Sequence, residues 1–261
     1  METWKITGII ATLVIVLSMP LYLLKQRLGS EGDVLPDSRA AATFVGRDRC
    51  SECHREEHKR WQDSDHSWSM ALADETSVRG DFNNTTFAHM GVVSRFFRKG
   101  DRFFVNTEGP GGQRGDCEIK YTFGFRPLQQ YLVPFPGGRL QCLPIAWDVE
   151  RNEWYHLYPD EKLLPKDWLY WTNNAQNWNG MCAACHSTDL KKGYDPQTDT
   201  YQTSWSEINV SCEACHGPGS RHVSWADAPP MARSQSVTNY DLVVDTKEMK
   251  QTIPVILQWD E

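Results

Sequence analysis

Three copies of one five-residue motif constrain this chain more than any other feature. The pattern C-x-x-C-H occurs at residues 50–54, 182–186 and 212–216 and uses six of the eight cysteines. Two thiols at this spacing can add to the two vinyl groups of one porphyrin, and the adjacent histidine then reaches the iron as its proximal ligand. The motif is therefore typical of covalent c-type haem attachment. The attachment cysteines are Cys50, Cys53, Cys182, Cys185, Cys212 and Cys215, and the proximal histidines are His54, His186 and His216.

Two other uses of paired cysteines explain the pattern less well. A zinc ribbon can be built from two C-x-x-C pairs, but it leaves the histidine after every pair unexplained and residues 50–54 without a partner. Redox-active disulfides within C-x-x-C require a thioredoxin-like turn from strand to helix, and the sequence shows no such turn. The sequence therefore predicts three haem c groups.

Five histidines remain to supply a second axial ligand to each iron. His66, His222 and His156 are the predicted distal ligands, and His89 is a further candidate. His58 lies four residues after His54 on the same side of a predicted helix, so it cannot reach the opposite face of its own haem. Methionine is the other common ligand type, and an open distal position on one haem is not excluded.

An uncharged, apolar run near the N-terminus indicates the compartment. Residues 6–24 would span about 28 Å as a helix, close to one hydrocarbon core. The run is longer than a typical signal-peptide core and no small-residue cleavage site follows, so it predicts an uncleaved single-pass anchor rather than a cleaved signal. Flanking charges mildly oppose an N-inside orientation. Haem c is attached outside the cytoplasm, and this predicts an inner-membrane protein whose remaining chain faces the periplasm.

The middle of the chain has a different pattern from the motif regions. Residues 82–158 contain short β-rich runs separated by turn signals, which predict hairpins across residues 99–101, 136–138 and 150–152. The predicted fold class is α+β: an N-terminal transmembrane helix, then a helix-and-loop multihaem region with an inserted small antiparallel β meander. The predicted divisions are an anchor with its flanks (1–28), a tether (29–44), a triheme domain (45–235) and a tail (236–261). Cys117 and Cys142 lie in the insert, and the sequence leaves open whether they form a disulfide.

The charge balance restricts the partners. The chain has 27 Lys and Arg against 34 Asp and Glu, which gives a formal net charge of −7. Nucleic acid, whose phosphates need a basic surface, is therefore excluded as a partner. The acidic chain, made more negative by haem propionates, predicts docking to a basic patch on another cytochrome or electron-transfer subunit.

Several longer segments carry a family resemblance. They are YTFGFRPLQQYLVPFPGGRLQCLPIAWD, WYHLYPDE, NWNGMCAACHSTDLKKGYD and VSCEACHGPGSRHVSWA, and they cover most of residues 45–226. The chain resembles multihaem c-type cytochromes of the hydroxylamine-oxidation electron-carrier type, and more closely the related cytochromes with appended tetratricopeptide repeats. The resemblance implies closely stacked bis-histidine haems and supports His222 and His66 as ligands. The chain departs from the family where Ser64-Asp65-His66 replaces S-H-H, and it shows neither a fourth motif nor the repeats.

These observations predict a membrane-anchored triheme cytochrome that relays electrons within a respiratory or photosynthetic complex. The sequence favours an electron-transfer protein or subunit over a catalyst acting by itself. One alternative is a multihaem oxidoreductase with an open haem site that acts on a small nitrogen or sulfur compound. Another is an assembly scaffold in which the haems mainly stabilise the fold.

Overall fold

The computed structural model describes residues 41–230, and within them more residues lie in strands than in helices. The helices are α1 (Arg47–Ser51), α2 (Arg55–Gln62), α3 (Trp178–Met181), α4 (Ala183–His186), α5 (Cys212–His216) and α6 (Ser220–Asp227). The strands are β1 (Met70–Leu72), β2 (Thr85–His89), β3 (Val92–Lys99), β4 (Arg102–Glu108), β5 (Arg114–Ile119), β6 (Tyr121–Phe123), β7 (Leu128–Phe135), β8 (Arg139–Cys142), β9 (Ile145–Asp148), β10 (Glu153–His156), β11 (Tyr194–Asp195) and β12 (Thr200–Tyr201). Three short 3-10 turns lie at Pro110–Gly112, Pro136–Gly138 and Asn174–Gln176.

The first sheet is an antiparallel meander of four strands in the order β2-β3-β4-β5. Its central hairpin pairs Lys99 with Arg102 across a turn that begins at Gly100, whose φ is +63°. Glycine reaches this left-handed conformation without the steric cost that a side chain imposes. The hairpin predicted across residues 99–101 is confirmed.

The second sheet has six strands, of which five follow the order β1-β6-β7-β9-β10 while β8 pairs with β7. The two other predicted hairpins lie here, with Phe135 opposite Arg139 and Asp148 opposite Glu153. A third sheet consists of β11 and β12 alone. β1 lies at one edge of the second sheet, close to the second motif.

The main core is built from aromatic side chains of both larger sheets and the loop before β2. Phe82 packs edge-to-face against four rings at centroid distances of 5.1–5.6 Å, those of Phe96, Phe103, Tyr131 and Trp154. Such edge-to-face pairs add to the free energy gained by burying apolar area. A second cluster, with Met70, Leu132, Cys142, Trp178 and Ala183 at its centre, joins the second sheet to the helix before the second motif.

The predicted α+β fold is wrong. It had helices and loops as the main body, with a small antiparallel β meander inserted in it. Strands begin at Met70, outside the expected insert, and the two larger sheets supply the main core. The helices that carry the motifs have only four to eight residues. They are short because two thiols and a histidine within five residues need little more than one helical turn.

The predicted single-pass location in the inner membrane is also corrected. Among residues 41–230, no helix is long and apolar enough to cross a membrane. The longest described helices have eight residues, about 12 Å against a hydrocarbon core of about 30 Å. The prediction of a membrane span depended on the apolar run 6–24, and its periplasm-facing orientation depended on haem attachment outside the cytoplasm. The run lies outside the described residues, as do residues 29–40 and the tail 236–261.

Candidate functional site

The first motif spans the end of one helix and the start of the next. Cys50 lies in α1, and His54 is the residue immediately before α2. The His54 N–H donates to the Cys50 carbonyl at 2.9 Å, which fixes the turn between them. A turn of this kind brings both thiols and the histidine of a C-x-x-C-H motif to one side of the backbone.

The third motif lies on a single short helix and is followed closely by a second one. Cys212, Cys215 and His216 all belong to α5, which ends at Gly217, where φ is +72°. A residue in the left-handed region commonly ends a helix in this way. The chain then turns into α6, whose third residue is His222.

The rings of His54 and His222 face each other although they come from opposite ends of the described chain. Their centroids are 6.1 Å apart and the ring planes are inclined by 28°. Two metal–nitrogen bonds of about 2 Å each, plus the two distances from ring nitrogen to ring centre, together span about 6 Å. The spacing therefore fits two imidazoles that bind one iron from opposite sides.

A largely apolar cavity of about 600 Å³ surrounds this pair. Its lining includes His54 and His222, thiols of the first and third motifs, and His216. Apolar cavities of roughly 300–1,000 Å³ are typical of sites for cofactor-sized ligands. Burial and the nearby rings of His222 and His54 lower the pKa of His216, so it favours the neutral form that binds iron.

The first and third motifs touch through their leading thiols. The hydrogen bond between Cys50 and Cys212 raises the pKa of Cys50 and lowers that of Cys212 to about 7. The contact shows that the leading thiols of the two motifs are neighbours in the fold. Two porphyrins carried by these motifs would lie side by side.

A smaller cavity of about 220 Å³ lies beside the third motif and holds two further histidines. His58 and His66 line it together with Cys215 and His216. The Nε2 atom of His58 is buried and has no hydrogen-bond partner among the described residues. Buried polar atoms without partners are rare in folded proteins, so this atom is a candidate for binding a group in the cavity.

His58 is not among the predicted ligands because the sequence favours a solvated position on the helix for it, with a role toward a neighbouring haem as the weaker alternative. Its ring lies 5.5 Å from that of Trp61, one turn further along α2. Trp61 in turn donates through Nε1 to the Val210 carbonyl at 2.8 Å, just before the third motif. His58 and Trp61 are three residues apart and share one face of α2. This spacing is the sequence signal that could have placed His58 beside the third motif.

The second motif has surroundings of its own. Asn177 caps α3 by accepting from the Gly180 N–H at 2.9 Å, and Cys182 lies between α3 and α4. The His186 ring packs on Phe123 at 4.3 Å, and its Nδ1 donates to the Ser69 carbonyl at 3.3 Å. This bond fixes the tautomer that leaves Nε2 as the iron ligand. Burial lowers the pKa of His186, which favours the neutral imidazole.

The two cysteines outside the motifs do not pair with each other. All eight cysteines are free. Cys117 packs against the main core, whereas Cys142 lies in the second cluster and shares a hydrogen bond with Cys182. The pKa of Cys142 is raised by that bond and by burial.

The remaining two predicted ligands form a pair away from the motifs. The rings of His89 and His156 stack at 3.9 Å with an interplanar angle of 9°. They line a cavity of about 120 Å³ whose lining contains no motif residue among those described. Burial, and then the neighbouring His89, lower the pKa of His156 to about 4. Their assignment as distal ligands remains a prediction, and this geometry does not bring them to a motif.

Taken together, the residues fit covalently bound haem. The donor set consists of paired thiols and adjacent imidazoles, one pair of imidazoles has the spacing of two axial ligands, and His58, whose buried Nε2 has no described partner, lines a cavity beside two motifs. The C-x-x-C pairs of a zinc ribbon, by contrast, do not meet: Cys182 contacts Cys142, and Cys212 contacts Cys50. Among residues 41–230, no group of three or more His, Cys, Asp or Glu side chains is arranged to hold a metal ion by itself.

A known protein family matches two stretches of the chain. The family is described as cytochrome c554 and c-prime, and its model matches residues 49–89 and 159–217. These stretches contain all three C-x-x-C-H motifs and leave out most of the sheet region. The comparison with curated proteins found no match.

Two solved structures resemble the fold in part. The outer cell wall cytochrome OcwA gives a TM-score of 0.46 at 19% identity, over 80% of this chain and 36% of that one. The undecaheme cytochrome from the S-layer of Carboxydothermus ferrireducens gives 0.43 at 20% identity, over 75% of this chain and 23% of that one. The chain therefore spans little more than a third of the first structure and under a quarter of the second.

The site and the family match support one class of protein, the multihaem c-type cytochromes. Three attachment motifs lie in the matched stretches, and the first and third lie side by side in the fold. Haem, iron and electron transport belong to that class.

Proposed function

We propose that this protein transfers single electrons through three c-type haems, one on each motif. Haem iron supplies a one-electron couple between Fe(III) and Fe(II) when it is bound. The observation that carries the proposal is the facing pair of His54 and His222, because these two imidazoles would serve as both axial ligands of the haem on the first motif. Bis-histidine ligation favours electron transfer over substrate binding, since it leaves no open coordination position.

The chain's own residues would hold the three groups in two surroundings. The first and third motifs share adjoining cavities and touch through Cys50 and Cys212, so their groups would form a close pair. His216 would bind the third iron, with His58 or the predicted His66 on its other side. The second motif would hold its group through His186, whose ring the Ser69 carbonyl orients.

The acceptor and donor are proposed to be other redox proteins with basic docking surfaces. The net charge of −7 supports this, since complementary charge steers encounter between electron-transfer partners. The finer resemblance to electron carriers of hydroxylamine oxidation, or to cytochromes with appended repeats, remains part of this proposal.

The proposal is tested by making the full chain in cells that mature c-type cytochromes. We expect the intact mass to exceed that of the polypeptide by three haems. Electron paramagnetic resonance during a redox titration should then show low-spin signals that disappear in one-electron steps. A product without covalent haem would refute the proposal.

A second function is favoured by one observation at the second motif. Among residues 41–230, the ring contact described for His186 is with Phe123, and no second imidazole is described at the 6.1 Å spacing of His54 and His222. A haem without a second protein ligand binds small molecules such as carbon monoxide, and a multihaem oxidoreductase acting on a small nitrogen or sulfur compound would use such a site. A carbon monoxide difference spectrum amounting to one haem per chain would support this function, and its absence would favour electron transfer alone.

A further inference from the structure

A buried carboxylate inside the third motif binds the backbone of two other chain segments. Glu213 follows Cys212 directly, and its side chain is only 3% exposed. Its oxygens accept from the Val45 N–H at 2.9 and 3.1 Å, from the Gly46 N–H at 2.8 Å and from the Gly219 N–H at 2.7 Å. Hydrogen bonds from N–H groups to a carboxylate are stronger than neutral ones, so this contact is expected to hold both segments firmly.

Those two segments lead to the two residues of the facing pair. Gly46 directly precedes α1, which is followed by His54, and Gly219 directly precedes α6, which contains His222. The segments also bind each other, because the Ser220 N–H donates to the Thr43 carbonyl at 3.1 Å. Ser220 Oγ accepts from the Thr43 N–H at 2.8 Å in return. Glu213 thus binds both the segment that precedes α1 and the segment that precedes α6, which lead to His54 and His222.

The same carboxylate brings negative charge to the cavity of the first motif. Glu213 lines that cavity together with His54 and His222. Every hydrogen bond described for it comes from an N–H donor, which suits an ionised carboxylate that only accepts. Arg49 also lines the cavity, but it pairs with Glu52 and Asp227 instead. Negative charge in a poorly solvated site favours Fe(III) over Fe(II), which lowers a reduction potential.

We propose that Glu213 is a positioning residue that sets both the axial geometry and the reduction potential of the haem on the first motif. A side chain of the third motif thereby sets the reduction potential of the haem on the first motif. This inference rests on the proposed function, because it requires a haem on Cys50 and Cys53. It extends that function by assigning the control of one potential to a side chain outside the iron's ligands.

The test uses the full-length, haem-loaded protein and four variants. Glu213→Gln keeps the shape but removes the charge and turns an amide NH₂ toward backbone donors. Glu213→Asp keeps the charge with a shorter reach. Ser220→Ala weakens the tie between the segments without changing charge, and Glu56→Gln removes one charge from an exposed position on α2 as the matched control.

Redox titrations followed by electron paramagnetic resonance give the readout. We expect Glu213→Gln to shift the midpoint potential of one haem upward and to change the g-values of that same haem, with the other two unchanged. Glu213→Asp should return the potential toward that of the wild type, Ser220→Ala should change g-values without that upward shift, and Glu56→Gln should change neither.

Unchanged potentials in a fully loaded Glu213→Gln protein would overturn the inference. If that variant does not retain three haems, Glu213→Asp decides the matter, since g-values left unchanged by the shorter side chain would equally contradict a positioning role. A wild-type protein without covalent haem would refute the proposed function instead, and intact mass distinguishes the two failures before any titration.

Discussion

The imidazole of His222 faces that of His54 at a centroid distance of 6.1 Å, across a cavity lined by both the first and the third motifs. This relationship joins the two ends of the described chain. On the proposed function, it would give the first motif a second ligand that its own helix cannot supply, because a residue on that helix stays on the proximal side.

The first prediction concerns this pair. Replacing His222 with alanine should leave the first haem five-coordinate, so one of the low-spin signals is lost and a high-spin signal appears, with covalent haem content unchanged. His222→Met should instead keep a six-coordinate iron and raise its potential. Electron paramagnetic resonance and redox titration check both outcomes.

The matched control for that experiment is His89→Ala. His89 stacks on His156 in a cavity that contains no described motif residue, so its loss should leave all low-spin signals in place. A high-spin signal in His89→Ala, with none in His222→Ala, would show that the ligand assignment is wrong.

The second prediction separates two histidines at the third motif. The buried Nε2 of His58 has no partner among the described residues, whereas His66 is exposed on the same cavity. We therefore expect His58→Ala to convert one haem to high spin and His66→Ala to leave its spin state unchanged. The reverse pattern would assign the position to His66, as the sequence predicted.

Local chemistry made part of this structure predictable. A haem motif is complete within five residues, so the sequence alone suffices to predict three attachment sites, and their occupancy stays a prediction. The three hairpins of the sheet region were also correctly predicted, because glycine, proline and asparagine turns separate runs of alternating apolar residues.

Contacts between distant segments were not predictable in the same way. The pairing of β1 with β6 adds an edge strand to the second sheet. The three residues Met70–Leu72 contain no pattern that predicts which strand they pair with. Cys142 was considered together with Cys117, yet the fold places it against Cys182 from a different element. The burial of Glu213 depends on backbone N–H groups, one of which belongs to Gly46 near the other end of the described chain, and no side-chain pattern in the sequence marks such a donor.

The third prediction tests the aromatic core. Phe82→Ala removes a ring that packs edge-to-face on four others, so it should lower the free energy of unfolding by about 3–5 kcal/mol. Leu72→Ala is the control, because Leu72 is 54% exposed and should change stability by less than about 0.5 kcal/mol. Urea unfolding followed by circular dichroism measures both. Equal losses in the two variants would contradict the described core.

The fourth prediction concerns docking. Because the chain carries a net charge of −7, its electron-transfer rate with a basic redox protein should fall as ionic strength rises from about 0.01 to about 0.15 M, over which the Debye length shortens from about 30 to about 8 Å. Stopped-flow kinetics with a basic and an acidic acceptor measure the effect, and the acidic acceptor should show the opposite slope. A rate with the basic acceptor that does not depend on salt would contradict electrostatic docking.

The fifth prediction concerns stability at low pH and depends on His156. Burial lowers the pKa of His156 to about 4, below its ordinary value of 6.5. Between these values the unfolded chain binds a proton that the folded protein does not, so this histidine makes stability fall as the pH falls from about 6.5 to about 4. Since the side chain is only half-buried, its contribution should be roughly 1–3 kcal/mol.

His156→Gln should remove that part of the pH dependence. Carboxyl groups with lowered pKa values, such as Asp74 and Asp116, also make stability fall at acidic pH, but they are the same in both proteins and cancel in the comparison. Urea unfolding of the haem-loaded wild type and the variant at pH 7.5 and 4.5 gives the difference. The loss of stability between these pH values should be smaller in the variant. Equal losses in the two proteins would mean that His156 takes up its proton as readily in the folded state as in the unfolded chain.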